Sequence, residues 1–318
     1  MVQFDLSGRS VFVTGHTGLL GSAICRQLGQ RRDVLLWTAA HADLDLCDKA
    51  AVEDWMAQHR PEVVIHAAGR VGGIAPNEKY PVEFLNENLS MAQNVINSAH
   101  AHNVRKLVFM SSSCVYPKNA PQPLRPEDLL TSPFEPSNEG YALAKTVGMR
   151  LCQYYRREYG ADYISLLPCN LYGVGDRYDA FSSHVIPALL LKMHNAQVFG
   201  QDQIKLWGTG RPLREFLYAD DAARAILLAL EHYSDELPMN IGSGAEITIA
   251  DLALRIAEIV GYQGKLIFAE EQGDGVPRKL LDNHMLDYLG FKPEVDLLQG
   301  LKQSYEDFLA RDDIEQKM

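Results

Sequence analysis

Short runs of β-branched and other apolar residues alternate with longer stretches whose apolar positions recur every three or four residues, and this rhythm organises the first half of the chain. "SVFVTG" (10–15), "DVLLWTA" (33–39), "EVVIHAAG" (62–69) and "KLVFMSSS" (106–113) predict strands. "DYISLLPCNLYG" (162–173) predicts a further strand with its exit loop. Between them, "LLGSAICRQLGQR" (19–31), "KAAVEDWMAQHR" (49–60), the segment 82–102 and "YALAKTVGMRLCQYYRREYG" (141–160) carry helical spacing, with Pro61 and Gly160 as stops. Strands and helices alternating at this length predict βαβ units and an α/β fold built on a doubly wound parallel sheet.

After about residue 174 the rhythm loosens. "VGDRYDAFSSHVIPALLLKMHNA" reads as loop then helix, and "IKLWGTGRPLREFLYADDAARAILLAL" as strand, Gly/Pro turn and helix. "TIADLALRIAEIVG" predicts another helix and "KLIFAE" another strand. The expected organisation is a Rossmann-type dinucleotide-binding domain over 1–173, to which a later segment around 215–242 returns. A smaller α/β substrate domain makes up most of 174–318.

Composition narrows the function classes. At 318 residues and 47% hydrophobic the chain can bury a full core. A formal charge of −11 disfavours nucleic acid as a partner. No apolar run approaches the roughly 20 residues of a membrane span, and "MVQFDLSGRS" has no signal-peptide pattern. The five cysteines (Cys25, Cys47, Cys114, Cys152, Cys169) are odd in number, widely spaced and without a CxxC pair, so neither a disulfide nor a metal framework is expected. A reducing cytoplasm is the expected location.

"VTGHTGLLGSA" sets Gly15, Gly18 and Gly21 between a strand and a helix, which predicts a pyrophosphate cradle at a helix N-terminus. The adenosine side is less directive. "WTAAHADLDLCD" has neither an acid nor an arginine at the end of the second strand, and His41 and Asp43 read equally as surface residues. Tyr141 and Lys145 are spaced i, i+4 on one helix face, where an ammonium is expected to lower the phenol pKa and fit it for proton transfer to a carbonyl. Ser112 ends a strand and can bind the same oxygen. Cys114, taken alone, reads as a small buried hydrophobe, and His184 as a capping or satisfied polar residue.

"TGHTGLLG", "HAAG", "SSSCVYP" and "YALAK" together resemble the extended short-chain dehydrogenase/reductase superfamily. "VGGI" with "N-x-x-Y-P" (71–81), "CNLYG", "SHVIPALL", "LWGTGRPLREFL" and "DGVPRKLLD" narrow the resemblance to the GDP-L-fucose synthase family, over about residues 10–308. That resemblance implies 3,5-epimerisation of a GDP-linked 4-keto-6-deoxy sugar followed by NADPH-dependent reduction, in a homodimer packed through the 82–102 and 141–160 helices. It puts catalysis on Ser112, Cys114, Tyr141, Lys145 and His184, with Cys114 and His184 as the acid–base pair of epimerisation. It puts the cofactor on Gly15, His16, Thr17, Gly18, Leu19, Leu20, Gly21, Tyr141, Lys145, Pro168, Asn170, Leu171 and His184. For the GDP-sugar it implies Lys192, Trp207, Arg214 and Asp274, with Arg278 and Lys279 as further anion ligands. Thr17 and Ala39/Ala40 stand where some members carry arginines for the 2′-phosphate, so NADH is the alternative cofactor. Ser113-Cys114 after Ser112, in place of Asp-Glu, counts against a 4,6-dehydratase. A 4-epimerase, an epimerase/reductase on another GDP-keto-sugar and a non-catalytic dinucleotide-binding protein are the competing readings.

Overall fold

A computed structural model describes residues 4–269 and 274–311. In chain order the elements are β1 (Ser10–Thr14), α1 (Leu19–Gly29), β2 (Leu35–Trp37), α2 (Lys49–His59), β3 (Val63–His66), α3 (Ile74–Lys79), α4 (Pro81–Ala101), β4 (Lys106–Met110), α5 (Glu139–Tyr159), β5 (Asp162–Pro168) and β6 (Asn170–Tyr172). They continue with α6 (Val185–Val198), β7 (Gln203–Trp207), β8 (Leu213–Tyr218), α7 (Ala219–His232), β9 (Met239–Ile241), β10 (Glu246–Thr248), α8 (Ile249–Val260), β11 (Lys265–Ala269), β12 (Arg278–Lys279), α9 (His284–Tyr288) and α10 (Leu297–Leu309).

The main sheet is parallel throughout, in the order β2-β1-β3-β4-β5-β9. Strand order reverses at β1, so a crevice opens beyond the carboxyl ends of β1 and β3, the usual ligand position in such sheets. β3 and β4 are buried along their whole length, as expected of strands covered by helices on both faces. α1 and α7 pack together on one face, joined by the Arg26–Asp220 ion pair, while α4 and α5 pack together elsewhere. Leu6, Phe12, Ile24, Phe109 and Leu167 belong to the core of this layer.

A second layer lies beside it. β8 pairs with β6 and β12 in parallel and with β10 antiparallel, and β7 pairs with β11. A separate core, including Leu190, Met193, Phe216 and Ile256, packs it against α6 and α8. Two sequence expectations change here. The predicted 162–173 strand is two strands in different sheets, because the chain leaves the main sheet at Pro168 and joins β8 from Asn170 onward. "LREFLY", expected within a turn-and-helix segment, is the strand β8, and its helix begins only at Ala219, with Asp220 and Asp221 in the first turn. The "KLIFAE" strand is described as far as Ala269; its last residue, Glu270, lies outside the described residues. No helix among the described residues is long and apolar enough to cross a membrane.

Candidate active site

At the end of β1, Gly15 turns the chain with φ +72°, a conformation that favours glycine. A side-chain carbon on Gly15 would stand 2.7 Å from the Ala68 backbone, and one on Gly21 would stand 2.0 Å from Gly15 O. The turn and the first coil of α1 therefore touch backbone to backbone. Gly18 caps α1 without a side chain, and Thr17 and Gly18 are exposed. The first amides of a helix have no intrahelical partners and face an anion there. This cradle fits the pyrophosphate of a dinucleotide. Beneath it, Thr14 Oγ1 lies 2.9 Å from His66 Nδ1 and accepts the Ala68 N–H, tying the ends of β1 and β3 together. Burial, with the nearby Lys145 charge, pushes the His66 imidazole down to about 3, so it is neutral.

One strand further, β4 ends at Met110, short of the expected Ser113. Ser112 remains extended, and its Oγ accepts the Cys114 N–H at 3.2 Å, capping a single 3-10 turn over Ser113–Val115. That cap bends the chain and sets both Ser112 and Cys114 at the sheet's carboxyl edge, each half-buried. Tyr141 and Lys145 come from the start of α5 and are both buried. Tyr141 hydrogen-bonds with Ser112, and the Lys145 ammonium stands 5.8 Å from the Tyr141 ring centre while donating to Met110 O at 2.9 Å.

The electrostatics correct one expectation. Burial raises the Tyr141 pKa, the Cys114 charge adds to it, and the bond to Ser112 only partly offsets both. The net result is a raised pKa, not the lowered one expected of a phenol beside an ammonium. Burial instead lowers Lys145 itself to about 8, its only hydrogen bond among the described residues being to a neutral carbonyl. Tyr141 is thus a neutral phenol, suited to donating a proton.

The remaining expected residues arrive from the second layer. His184 caps α6 through its backbone. Its imidazole is solvent-accessible yet enclosed by protein on several sides, and that desolvation lowers its pKa. Arg214 on β8 feels the charges of Cys114 and Asp274, although burial dominates and lowers its pKa. Asp274 accepts the Thr209 N–H at 2.8 Å and the Thr209 hydroxyl at 2.6 Å, bonds that hold its carboxyl below the usual range. Lys192 donates to Lys205 O, and Trp207 ends β7, 52% exposed. Pro168 closes β5, Leu171 lies on β6, and Asn170 Nδ2 donates to Glu215 O at 2.9 Å. Of the two cations in "PRKLLD", Arg278 is engaged by Glu246 through bonds of 2.7 and 2.6 Å, whereas Lys279 Nζ lies 3.8 Å from Cys114 Sγ. Among the described residues no cluster of His, Cys, Asp or Glu could hold a metal ion.

Residues 11–242 match the profile of the NAD dependent epimerase/dehydratase family. The chain belongs to that family. Within it, the chain is 48% identical over 299 residues to GDP-L-fucose synthase 1 of Arabidopsis thaliana, covering 94% of this chain and 93% of that protein. It is 44% identical to the GDP-L-fucose synthase of Escherichia coli K12, covering 97% and 99% of the two chains. A GDP-L-fucose synthetase from Naegleria fowleri, solved with NADP bound, superposes with a TM-score of 0.90 at 28% identity, covering 97% of this chain and 96% of that one.

Two features of this epimerase/dehydratase site were not read from the sequence. Glu215, on β8 next to Arg214, is fully buried and accepts the Gly244 N–H (2.7 Å), the Leu281 N–H (3.0 Å) and an amide hydrogen of Asn283 (3.2 Å). It thereby sets the strand that bears Arg214 against the segment that bears Lys279. Asn88 on α4, also buried, accepts the Arg70 N–H at 3.0 Å and donates to Arg70 O at 3.1 Å. It braces the loop after β3 at Gly69, where an added Cβ would lie 3.4 Å from Lys145 Nζ. Both work through bonds to distant backbone, and such bonds leave no local sequence pattern.

Proposed function

We propose that this chain converts GDP-4-keto-6-deoxy-D-mannose to GDP-L-fucose, by epimerisation at C3 and C5 and then NADPH-dependent reduction at C4. The observation that carries the reading is the single turn after β4, in which Ser112, bonded to Tyr141, and Cys114 stand two residues apart. A simple ketone reductase needs the first pair and not the cysteine. The relatives named GDP-L-fucose synthase, similar over nearly the whole chain, support the same substrate.

In this mechanism Ser112 and Tyr141 hold the C4 oxygen. Carbons 3 and 5 flank that carbonyl, so removing a proton from either leaves its electron pair in an enolate, whose oxygen the two hydroxyls stabilise. Cys114 and His184 form the acid–base pair: one takes the proton from one face and the other returns a proton to the opposite face. The glycine cradle and Lys145 would hold NADPH, which would supply the hydride for reduction at C4. Tyr141 gives its phenolic proton to the C4 oxygen, and the Lys145 ammonium stabilises the phenolate left behind. Arg214, Lys192, Trp207 and Asp274 bind the GDP-sugar, the cations at the diphosphate and the carboxylate at hydroxyl groups. Lys279, beside Cys114, extends the cationic wall.

We read the assembly as a cytoplasmic homodimer formed through α4 and α5, on which Val82, Leu143, Val147 and Tyr154 are exposed. Incubation with GDP-4-keto-6-deoxy-D-mannose and NADPH, with the product identified by NMR, tests the function. GDP-L-fucose is expected; no turnover overturns the assignment, and a reduced but unepimerised sugar overturns the roles of Cys114 and His184. A kcat/KM favouring NADH overturns the cofactor choice.

A further inference from the structure

The stretch "VGGI" (71–74) stands out in the sequence and has no part in the chemistry above. It leads from β3 into α3 and lies against the loop that delivers His184. The Gly73 N–H donates to Ser182 O at 3.0 Å. Gly73 has φ −66°, available to any residue, so its backbone conformation does not require glycine. Space does. A Cβ on Gly73 would stand 2.9 Å from Ser183 O, and one on Gly72 would stand 2.8 Å from the Pro76 side chain and 3.3 Å from the Phe84 ring. Buried Asn77 holds the pair from behind, donating to Gly72 O at 3.0 Å and Gly73 O at 2.9 Å.

The loop so contacted is braced internally. Asp179 Oδ1 accepts the Phe181 N–H at 2.8 Å and the Ser182 N–H at 2.9 Å, and the Asp179 N–H donates to Ser183 Oγ at 2.7 Å. Lys79 lies over the rings of both Tyr80 and Phe181, at 5.1 and 5.2 Å, adding a second point of attachment. The His184 imidazole itself makes no hydrogen bond among the described residues, so the backbone of 182–184 sets where it stands. We infer that Gly72, Gly73 and Asn77 are positioning residues for His184, a backbone saddle through which the β3–α3 connection fixes the second epimerisation group. The inference rests on the role proposed for His184.

Gly73→Ala and Asn77→Ala test it, with Gly29→Ala as control, since a Cβ at Gly29 meets nothing within 4 Å. Three quantities are read: the position of His184 in crystals of each variant, solvent-deuterium exchange at C3 and C5 of the keto sugar without reductant, and the Kd for NADPH. His184 is expected to shift by several tenths of an ångström, and exchange to fall by about tenfold or more, since misplacement by ~1 Å can cost ~100-fold. NADPH affinity is expected to stay within about twofold. If His184 does not move, or exchange stays within about twofold of wild type in both variants, the inference is overturned. The same holds if exchange and NADPH affinity fall together, which marks general disruption. Should Gly73→Ala not fold, Asn77→Ala decides on the same readings. A wild type that exchanges neither carbon overturns the epimerase reading instead, while the position of His184 still judges the saddle.

Discussion

Replacing Lys145 by methionine should make the cofactor-free protein more stable at neutral pH and remove a pH dependence that wild type shows. Burial lowers the Lys145 pKa from 10.5 to about 8, so the unfolded chain holds this proton more tightly than the folded one. Below the folded value both states are protonated and the whole desolvation penalty is present, about 3 kcal/mol for a difference of that size. Between about pH 8 and 10.5 the unfolded state carries the extra proton, and the stability of wild type rises with pH relative to a variant that cannot titrate there. Integrating from pH 7 to pH 10 gives a relative gain of about 2.5 kcal/mol for wild type. The variant also loses the 2.9 Å bond to Met110 O, an offset of about 1 kcal/mol that is independent of pH. Urea unfolding of both proteins at several pH values, compared as a difference, cancels the titration of every other group. A difference constant to within about 0.5 kcal/mol, or one moving in the variant's favour as pH rises, refutes the reading of Lys145 as a desolvated ammonium.

Asp162→Ala should destabilise by about 3–5 kcal/mol, because Lys106, 1% exposed, keeps among the described residues only Tyr233 O as acceptor once the 2.8 Å bond to Asp162 is gone; a shift in unfolding midpoint worth less than about 1 kcal/mol contradicts this. Gly21→Ala should weaken NADPH binding by at least about tenfold, since its Cβ would sit 2.0 Å from Gly15 O, whereas Gly29→Ala in the same helix should stabilise by about 0.5–1 kcal/mol; calorimetry and thermal melts distinguish the two. Cys114→Ser should lose most solvent-deuterium exchange at C3 and C5 while binding the GDP-sugar with nearly unchanged affinity, and exchange at the wild-type rate removes Cys114 from the acid–base pair.

Period and punctuation made the main sheet legible. Four apolar runs each followed by a helix, with a fifth beginning at residue 162, describe a doubly wound sheet, and β1, β2, β3, β4 and β5 are there. The second layer was harder because β6, β10 and β12 have only two or three residues each, too few for a period to register. Their pairing depends on β8, whose "LREFLY" has mixed polarity because Glu215 is buried in a polar knot rather than pointing to solvent. Family resemblance supplied the candidate site residues that spacing alone left open, such as Cys114 and His184. It did not supply the burial that makes Tyr141 neutral or the Glu246 pairing that occupies Arg278, because both arise from partners far away along the chain.

Glu215 also bears on how the protein is made. Its three donors lie 29, 66 and 68 residues further along the chain. A ribosome working from the N-terminus therefore produces the glycine turn, the Ser112–Cys114 turn and α5 long before this carboxylate can be satisfied. Until Leu281 and Asn283 emerge, β8 has a buried acid lacking two of its donors, and burying it in that state costs free energy. The cofactor side can settle early, but the sugar side can close only when synthesis is nearly complete. A chain cut short before residue 281 would be left with a cradle for the nucleotide and no finished wall opposite Cys114.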